Sequence, residues 1–394
     1  MTSFLPARGI VLLLVTLMVA GGAAPARPTG SSAPAPPPAG APSGAAPSQP
    51  SAAAPASADP EWDRVVAAAR QEGKVVLGIP PGPQYEPAIR EAFGKAYPGI
   101  EVEMLNLHAA QFTARIAKER AAGEYAFDAW IGGPDVDVYR LAKDGVFDPL
   151  RDDMMLPEVV DDSKWLGGLA QRFSDEGGKY TFAFGARNSE GGYVNRSLIA
   201  ESQLAKYDDL WKPEFRGKIV WQDPRQSGSG VNAAAVILQV YGEQKLRDLW
   251  SGQQVVVSTD ERQMAEGVAR GRTPIGIGLV ANRGLELLQK EGVGLDVKSF
   301  PYPLPLAIPG GHGLVAVNRP PHPNARKVMV NWVLSREGQT VIGQALSWNS
   351  ARLDLPAFDP PSQVPQGVET LNTHSEAFSP LRQRGNDIAK EIFH

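Results

Sequence analysis

Lys218-Ile219-Val220-Trp221-Gln222-Asp223-Pro224-Arg225-Gln226-Ser227-Gly228-Ser229-Gly230-Val231-Asn232-Ala233-Ala234-Ala235 is the stretch that sets the fold class. Lys218 to Trp221 is a short apolar run that reads as a strand, and Ala233-Ala234-Ala235-Val236-Ile237-Leu238 reads as a helix of strong propensity. A strand turning into a helix through Ser-Gly-Ser-Gly leaves the first amides of the helix without intrahelical partners. Gly228 and Gly230 let a ligand approach the backbone, and Ser227 and Ser229 add hydroxyls. The expected product is an anion cradle at a helix start. An ordinary capped helix after a flexible turn has the same local pattern.

Upstream, the same alternation recurs with regular spacing. Trp62, Val65, Val66 and Ala69 repeat at helical spacing after Asp59-Pro60, which is a cap followed by proline at the first helical position. Lys74-Val75-Val76-Leu77-Gly78-Ile79 then reads as a buried strand, Tyr85 to Tyr97 as a helix, and Ile100 to Leu105 as a strand. A helix over Ala109–Ala122 and the strand Phe127-Asp128-Ala129-Trp130-Ile131 complete β-α-β-α-β, which implies a parallel sheet covered by helices. Ligands of such sheets sit beyond the carboxyl ends of the strands. The loops there are Pro80–Gln84, with Pro81 and Gly82, and Gly132–Asp135, with Gly132 and Gly133; plain turn chemistry explains the same residues.

Composition narrows the function classes. The chain has 394 residues, 43% apolar and 21% charged, with a formal net charge of -4, which suits a soluble two-domain protein and gives no nucleic-acid signature. With no cysteine there is no disulfide, thiol catalysis or cysteine-bound metal. Arg8 precedes an apolar run from Ile10 to Ala20 and small residues up to Ala26, so residues 1–26 read as a signal peptide and the protein as exported; an uncleaved anchor is the alternative. Between Arg27 and Asp59 there are no charges, only Ala, Pro, Ser, Gly, Thr and one Gln, so 27–59 reads as a disordered spacer.

Further strands are expected at Tyr180–Arg187, Gly192–Asn195, Val255–Val257 and Pro274–Gly278. Helices are expected at Val231–Tyr241, Glu243–Leu249, from Asp260 onward and over Asn324–Leu334. Arg187, Arg225 and Arg262 are the candidate cations for an anionic ligand, against the commoner role of arginine at the surface or in scaffolding. Tyr193 and Trp130 are candidate apolar walls, with the core as the competing place for each.

The order Phe127-Asp128-Ala129-Trp130-Ile131-Gly132-Gly133, Gly192-Tyr193-Val194-Asn195, Trp211-Lys212-Pro213-Glu214-Phe215-Arg216-Gly217-Lys218, Ser227-Gly228-Ser229-Gly230, Ala269-Arg270-Gly271-Arg272-Thr273-Pro274 and His322-Pro323-Asn324-Ala325 resembles the extracellular solute-binding proteins of ABC importers, iron(III)-type group. The resemblance covers Glu61 to about Leu355, and Trp-x-Pro-x-Phe-x-Gly-Lys before a strand is its most specific piece. It implies an α/β, type II periplasmic-binding-protein fold: two lobes, each a mainly parallel sheet flanked by helices, joined by a two-strand hinge. By that resemblance lobe one is 61–188 plus 308–394 and lobe two is 189–307, with hinge strands near Gly192–Asn195 and Gly311–Val315. A monomer that closes on a small molecule and docks on a membrane permease with its ATPase is implied, with no nucleic-acid partner and no cofactor.

Iron-binding members of that group use adjacent tyrosines in the loop after the strand matching Pro274–Gly278. Here the loop is Leu279-Val280-Ala281-Asn282-Arg283, none of the nine tyrosines is adjacent to another, and the five histidines lack metal-ligand spacing. No metal site is therefore expected, and a small organic anion such as a carboxylate, phosphonate or phosphate ester fits the cradle better. Ferric iron stays open as the alternative ligand. A secreted enzyme is disfavoured by the absence of Gly-x-Ser-x-Gly, His-Glu-x-x-His, Walker and dinucleotide motifs, and a sensor-presenting role is the remaining alternative.

Overall fold

The computed structural model describes residues 59–80, 85–107, 109–133, 136–188, 190–226, 228–281, 284–304, 307–308, 313–364, 367 and 371–393. The first part of the chain runs α1 (Pro60–Glu72), β1 (Lys74–Ile79), α2 (Tyr85–Ala96), β2 (Glu101–Asn106), α3 (Ala109–Ala121), β3 (Ala129–Gly132), α4 (Val136–Lys143) and β4 (Phe147–Asp148). Asp59 caps α1 by accepting from the Glu61 amide at 2.9 Å, and Gly73 ends it in the left-handed region. After α5 (Pro157–Val160) come β5 (Phe182–Ala183), β6 (Arg187–Asn188), β7 (Glu190–Asn195), β8 (Ile219–Gln222), α6 (Ser229–Tyr241) and α7 (Glu243–Arg247). Then follow β9 (Val256–Ser258), α8 (Glu261–Ala269), β10 (Ile275–Ile277), α9 (Leu285–Lys290), β11 (Val297–Pro301), β12 (Ala307–Ile308) and β13 (Gly313–Val317). Three helices close the chain: α10 (Pro323–Leu334), α11 (Arg336–Leu346) and α12 (Ser379–Ile392).

Two sheets organise these elements. The first has the order β2-β1-β3-β13-β4, with β5 also on β13; β1 is parallel to β2 and β3, and β13 is antiparallel to its neighbours. The second has the order β11-β7-β10-β8-β9, with β8 parallel to β9 and β10, and β7 antiparallel to β10 and β11. Strand alternation sends Val75, Leu77, Ile79, Ala129 and Ile131 to one face of the first sheet, and Val76 and Trp130 to the other. Ile219 and Trp221 likewise point to one face of the second sheet and Val220 to the other. Both sheets are thus buried on two sides, as helix-covered parallel strands require.

Three sequence expectations change. The expected strand Tyr180–Arg187 is broken into the two-residue strands β5 and β6. Gly192–Asn195 and the described part of Gly311–Val315 lie inside the two sheets, in β7 and β13; Gly311 and His312 fall outside the described residues. A separate two-strand ribbon, β6 antiparallel to β12, instead stands at the point where the chain passes from one sheet to the other. Residues 308–394 were expected to group together, yet Ile388 and Ala389 of α12 are buried in the core of the second sheet. The leader and spacer at 1–58 lie outside the described residues.

Candidate functional site

The segments that follow β3 and β8 line a cavity of about 390 Å3 with both apolar and polar walls. Its walls include the starts of α3 (Ala110), α4 (Val136, Asp137) and α6 (Gly228, Val231, Asn232). The first two helices belong to the first sheet's lobe and the third to the second's, so the cavity lies between the lobes. The C-terminal segment supplies the remaining wall through His374, Arg382, Gln383, Asn386 and Lys390. The volume is in the range of small-molecule sites. A second cavity of about 50 Å3, around Asn349 and Arg352, has room for little more than water.

The turn that opened the sequence reading is only partly free for a ligand. Gly228 lines the cavity, and Ser229 is the first residue of α6. The Gly230 amide, however, donates to Gln222 Oε1, so one of the orphan donors is capped from within the chain. A Cβ on Gly230 would sit 1.8 Å from the Gln222 carbonyl oxygen, and one on Gly228, at φ 154, would meet the Gln222 side chain at 2.6 Å. These glycines let α6 start hard against the end of β8. Ser227 falls outside the described residues, as do Pro81 and Gly82.

The three arginines go elsewhere. Arg225 grips the buried Asp223 through Nε and Nη2 at 2.8–3.2 Å and donates from Nη1 to the Phe393 carbonyl at 2.6 Å. This contact holds the Asp223 carboxyl below the usual carboxylate range. Arg187 lies on the β6–β12 ribbon, 3.5 Å from Glu190 and 5.2 Å above the Trp348 ring. Arg262 is exposed on α8, with Glu266 at 3.4 Å, and is not among the cavity's lining residues.

Tyr193 and Trp130 are core residues. Tyr193 packs with Val220, Met264 and Leu279, and burial pushes its hydroxyl well above the usual pKa. Trp130 stacks on Phe112 at 4.4 Å. Gly132, at the end of β3, is buried so close to the Trp130 ring that a Cβ there would strike it, and Gly133 follows it, partly buried.

Sequence patterns do not single out the cavity residues of the C-terminal segment. Lys390 Nζ lies 3.9 Å from Asp387 Oδ1. His374 Nδ1 is buried without a hydrogen-bond partner, and burial, then the Arg382 charge, lowers its pKa to about 3, so the ring is neutral at ordinary pH. Asp137 is answered by Arg140 at 3.1 Å. The only local signal for this wall is Pro380 at a helix start, with Leu381, Ile388, Ala389 and Ile392 at helical spacing. Among the described residues, no three His, Asp or Glu side chains are grouped to hold a metal ion.

Two helix-covered sheets, joined by a ribbon and bordering one cavity, define a two-lobed α/β architecture. The chain belongs to the bacterial extracellular solute-binding protein family, whose model matches residues 78–340. Iron-bound HitA from Pseudomonas aeruginosa superposes with a TM-score of 0.61 at 18% identity, covering 82% of this chain and 99% of that one. Trichodesmium IdiA (FutA), in complex with iron and citrate, gives 0.64 at 17% identity over 82% of this chain and 99% of that one. AfuA from Actinobacillus pleuropneumoniae, with fructose-6-phosphate bound, gives 0.53 at 19% identity over 81% and 98%. An uncharacterized protein of Haemophilus influenzae is 23% identical over 326 residues, 77% of this chain and 85% of that protein. At these identities the structural likenesses speak for the fold.

Proposed function

We propose that this chain is the exported solute receptor of an ABC importer and that its solute is a small organic anion held in the 390 Å3 cavity. The observation that carries the reading is the convergence of three helix starts, those of α3, α4 and α6, on one cavity that also holds Lys390 and Arg382. Helix N-termini bring partial positive charge, and the two cations add full charge, so the site favours an anion over a neutral sugar. Capture needs no chemistry: the solute binds between the lobes, the ribbon flexes, and contacts made only in the closed form favour closure. The leader read at 1–26 supplies export, and no described helix is long and apolar enough to cross a membrane.

Ferric iron is the second reading, favoured by the iron-bound proteins among the similar structures. The lack of a grouped set of His and carboxylate ligands among the described residues weighs against it. A thermal-shift screen of the chain from Asp59 onward separates the two. At a hundredfold excess over Kd a true solute adds about 2.7 kcal/mol and raises Tm. A response to phosphate esters, phosphonates or carboxylates, lost in Lys390→Glu, supports the anion. A response to ferric iron or neutral sugars alone removes it.

A further inference from the structure

The chain beyond the family match crosses between the lobes a third time. Residues 374–376 are fastened to the first lobe: the Tyr139 hydroxyl of α4 donates to the His374 carbonyl, and the Glu376 amide donates to Ser174 O at 2.8 Å. Glu376 also accepts from the Glu176 amide at 2.9 Å and pairs with Lys143 of α4 at 2.5 Å. From Leu381 onward α12 is fastened to the second lobe. Ile388 and Ala389 enter that core, and Gly385 passes so close to α6 that a Cβ would lie 3.0 Å from the Ala234 Cβ. Asn386 donates to Pro224 O at 3.1 Å, and Arg225 holds the Phe393 carbonyl. Arg384 and Arg247 close the attachment on Glu243 and Glu391.

We infer that residues 371–393 are a closure strap, a third interlobe connection that sets how far the cavity opens. A segment tied to both lobes on one side of the cavity has to give at one tie when the lobes move. The first-lobe tie is the weaker: it is made by hydrogen bonds and one ion pair, whereas the second-lobe tie includes buried apolar packing. The cavity wall formed by Gln383, Asn386 and Lys390 therefore travels with the second lobe, and the tie at Tyr139, Lys143 and Glu376 limits that travel. The strap rests on the reading of this cavity as the solute site, but its test needs no solute.

The chain has no cysteine, so Lys118→Cys on α3 and Lys290→Cys on α9 give two unique spin-label positions, one on each lobe. Distances between the labels are measured in the full chain with and without Tyr139→Phe plus Lys143→Ala. These changes keep the ring of Tyr139 and alter an exposed lysine. Loss of the tie should broaden the distance distribution and shift its mean by more than about 2 Å, the scale of a true domain rearrangement. A distribution that superposes on the parent's overturns the strap. Should the double variant lose its native circular dichroism, Glu376→Gln alone is measured against the same two outcomes. Failure of every anion in the thermal screen would remove the solute reading and leave this distance result standing.

Discussion

Arg225 shows how a residue can be legible as a type and illegible in its role. A cation beside a glycine-rich turn reads as a ligand partner, but its partners are Asp223, two residues away, and the Phe393 carbonyl, 168 residues away. No local pattern reports the second. Arg225→Leu should leave Asp223 buried without its cation and cost about 1–3 kcal/mol, below the range for a fully buried pair because Arg225 is partly exposed. Asp223 has a lowered pKa in the fold, so its contribution is present above the unfolded carboxyl pKa and lost as pH falls through the folded value. Urea unfolding at neutral pH should show the loss, and the difference between variant and parent should shrink in acid. An unchanged midpoint with weakened solute binding would return Arg225 to the site. His374 adds an acid sensitivity of the same sign by a different route, the burial of a neutral ring. Its pKa falls from 6.5 to about 3 through burial, so the unfolded chain takes up the proton first. Stability from the neutral ring is whole above pH 6.5 and declines as pH drops towards 3. His374→Gln should flatten the fall of Tm between neutral and acidic pH.

Elements were more readable than residues wherever the signal was local. The Asp59 cap, the alternation in β1, and the strand-turn-helix of β8 and α6 follow from spacing within a dozen residues, and the structure has them. What the same stretch concealed was the purpose of its glycines. Gly230 reads as space for a ligand, whereas the space is taken by the Gln222 backbone. Gly230→Ala places a Cβ against a carbonyl oxygen that cannot swing aside, so the start of α6 must shift at a cost of about 3 kcal/mol. Gly94, inside α2 and with nothing within 4 Å of a Cβ, is the matched control. Gly94→Ala should stabilise by about 0.5–1 kcal/mol, because alanine has less backbone freedom to lose on folding. Opposite shifts of the two denaturation midpoints are expected; equal shifts would mean that Gly230 is not a packing glycine.

At the scale of the molecule, helical spacing says that a helix has an apolar face but not which core that face joins. This is why 308–394 read as one lobe while α12 packs on the other. It also explains why β13, the antiparallel strand between β3 and β4 in the first sheet, gives no sign of its neighbours: both lie far upstream. The division of the cores turns this into a prediction. Neither core of the first sheet contains a residue beyond Val364, whereas the second core contains Ile388 and Ala389, and Phe393 packs 5.3 Å from Trp250. Each large apolar side chain fully buried in such a core is worth about 1.5–3 kcal/mol, so losing Ile388 together with the partly buried Leu381, Ile392 and Phe393 removes a large share of the stability of an ordinary domain. Ending the chain at Leu371 should therefore unfold the second lobe and leave the first folded. Hydrogen exchange would read this directly: amides of β1, β2 and β3 stay protected while those of β8 and β10 exchange freely. Equal loss of protection in both sheets would show that the lobes fold as one unit, and that the strap is part of a single core rather than a tie between two.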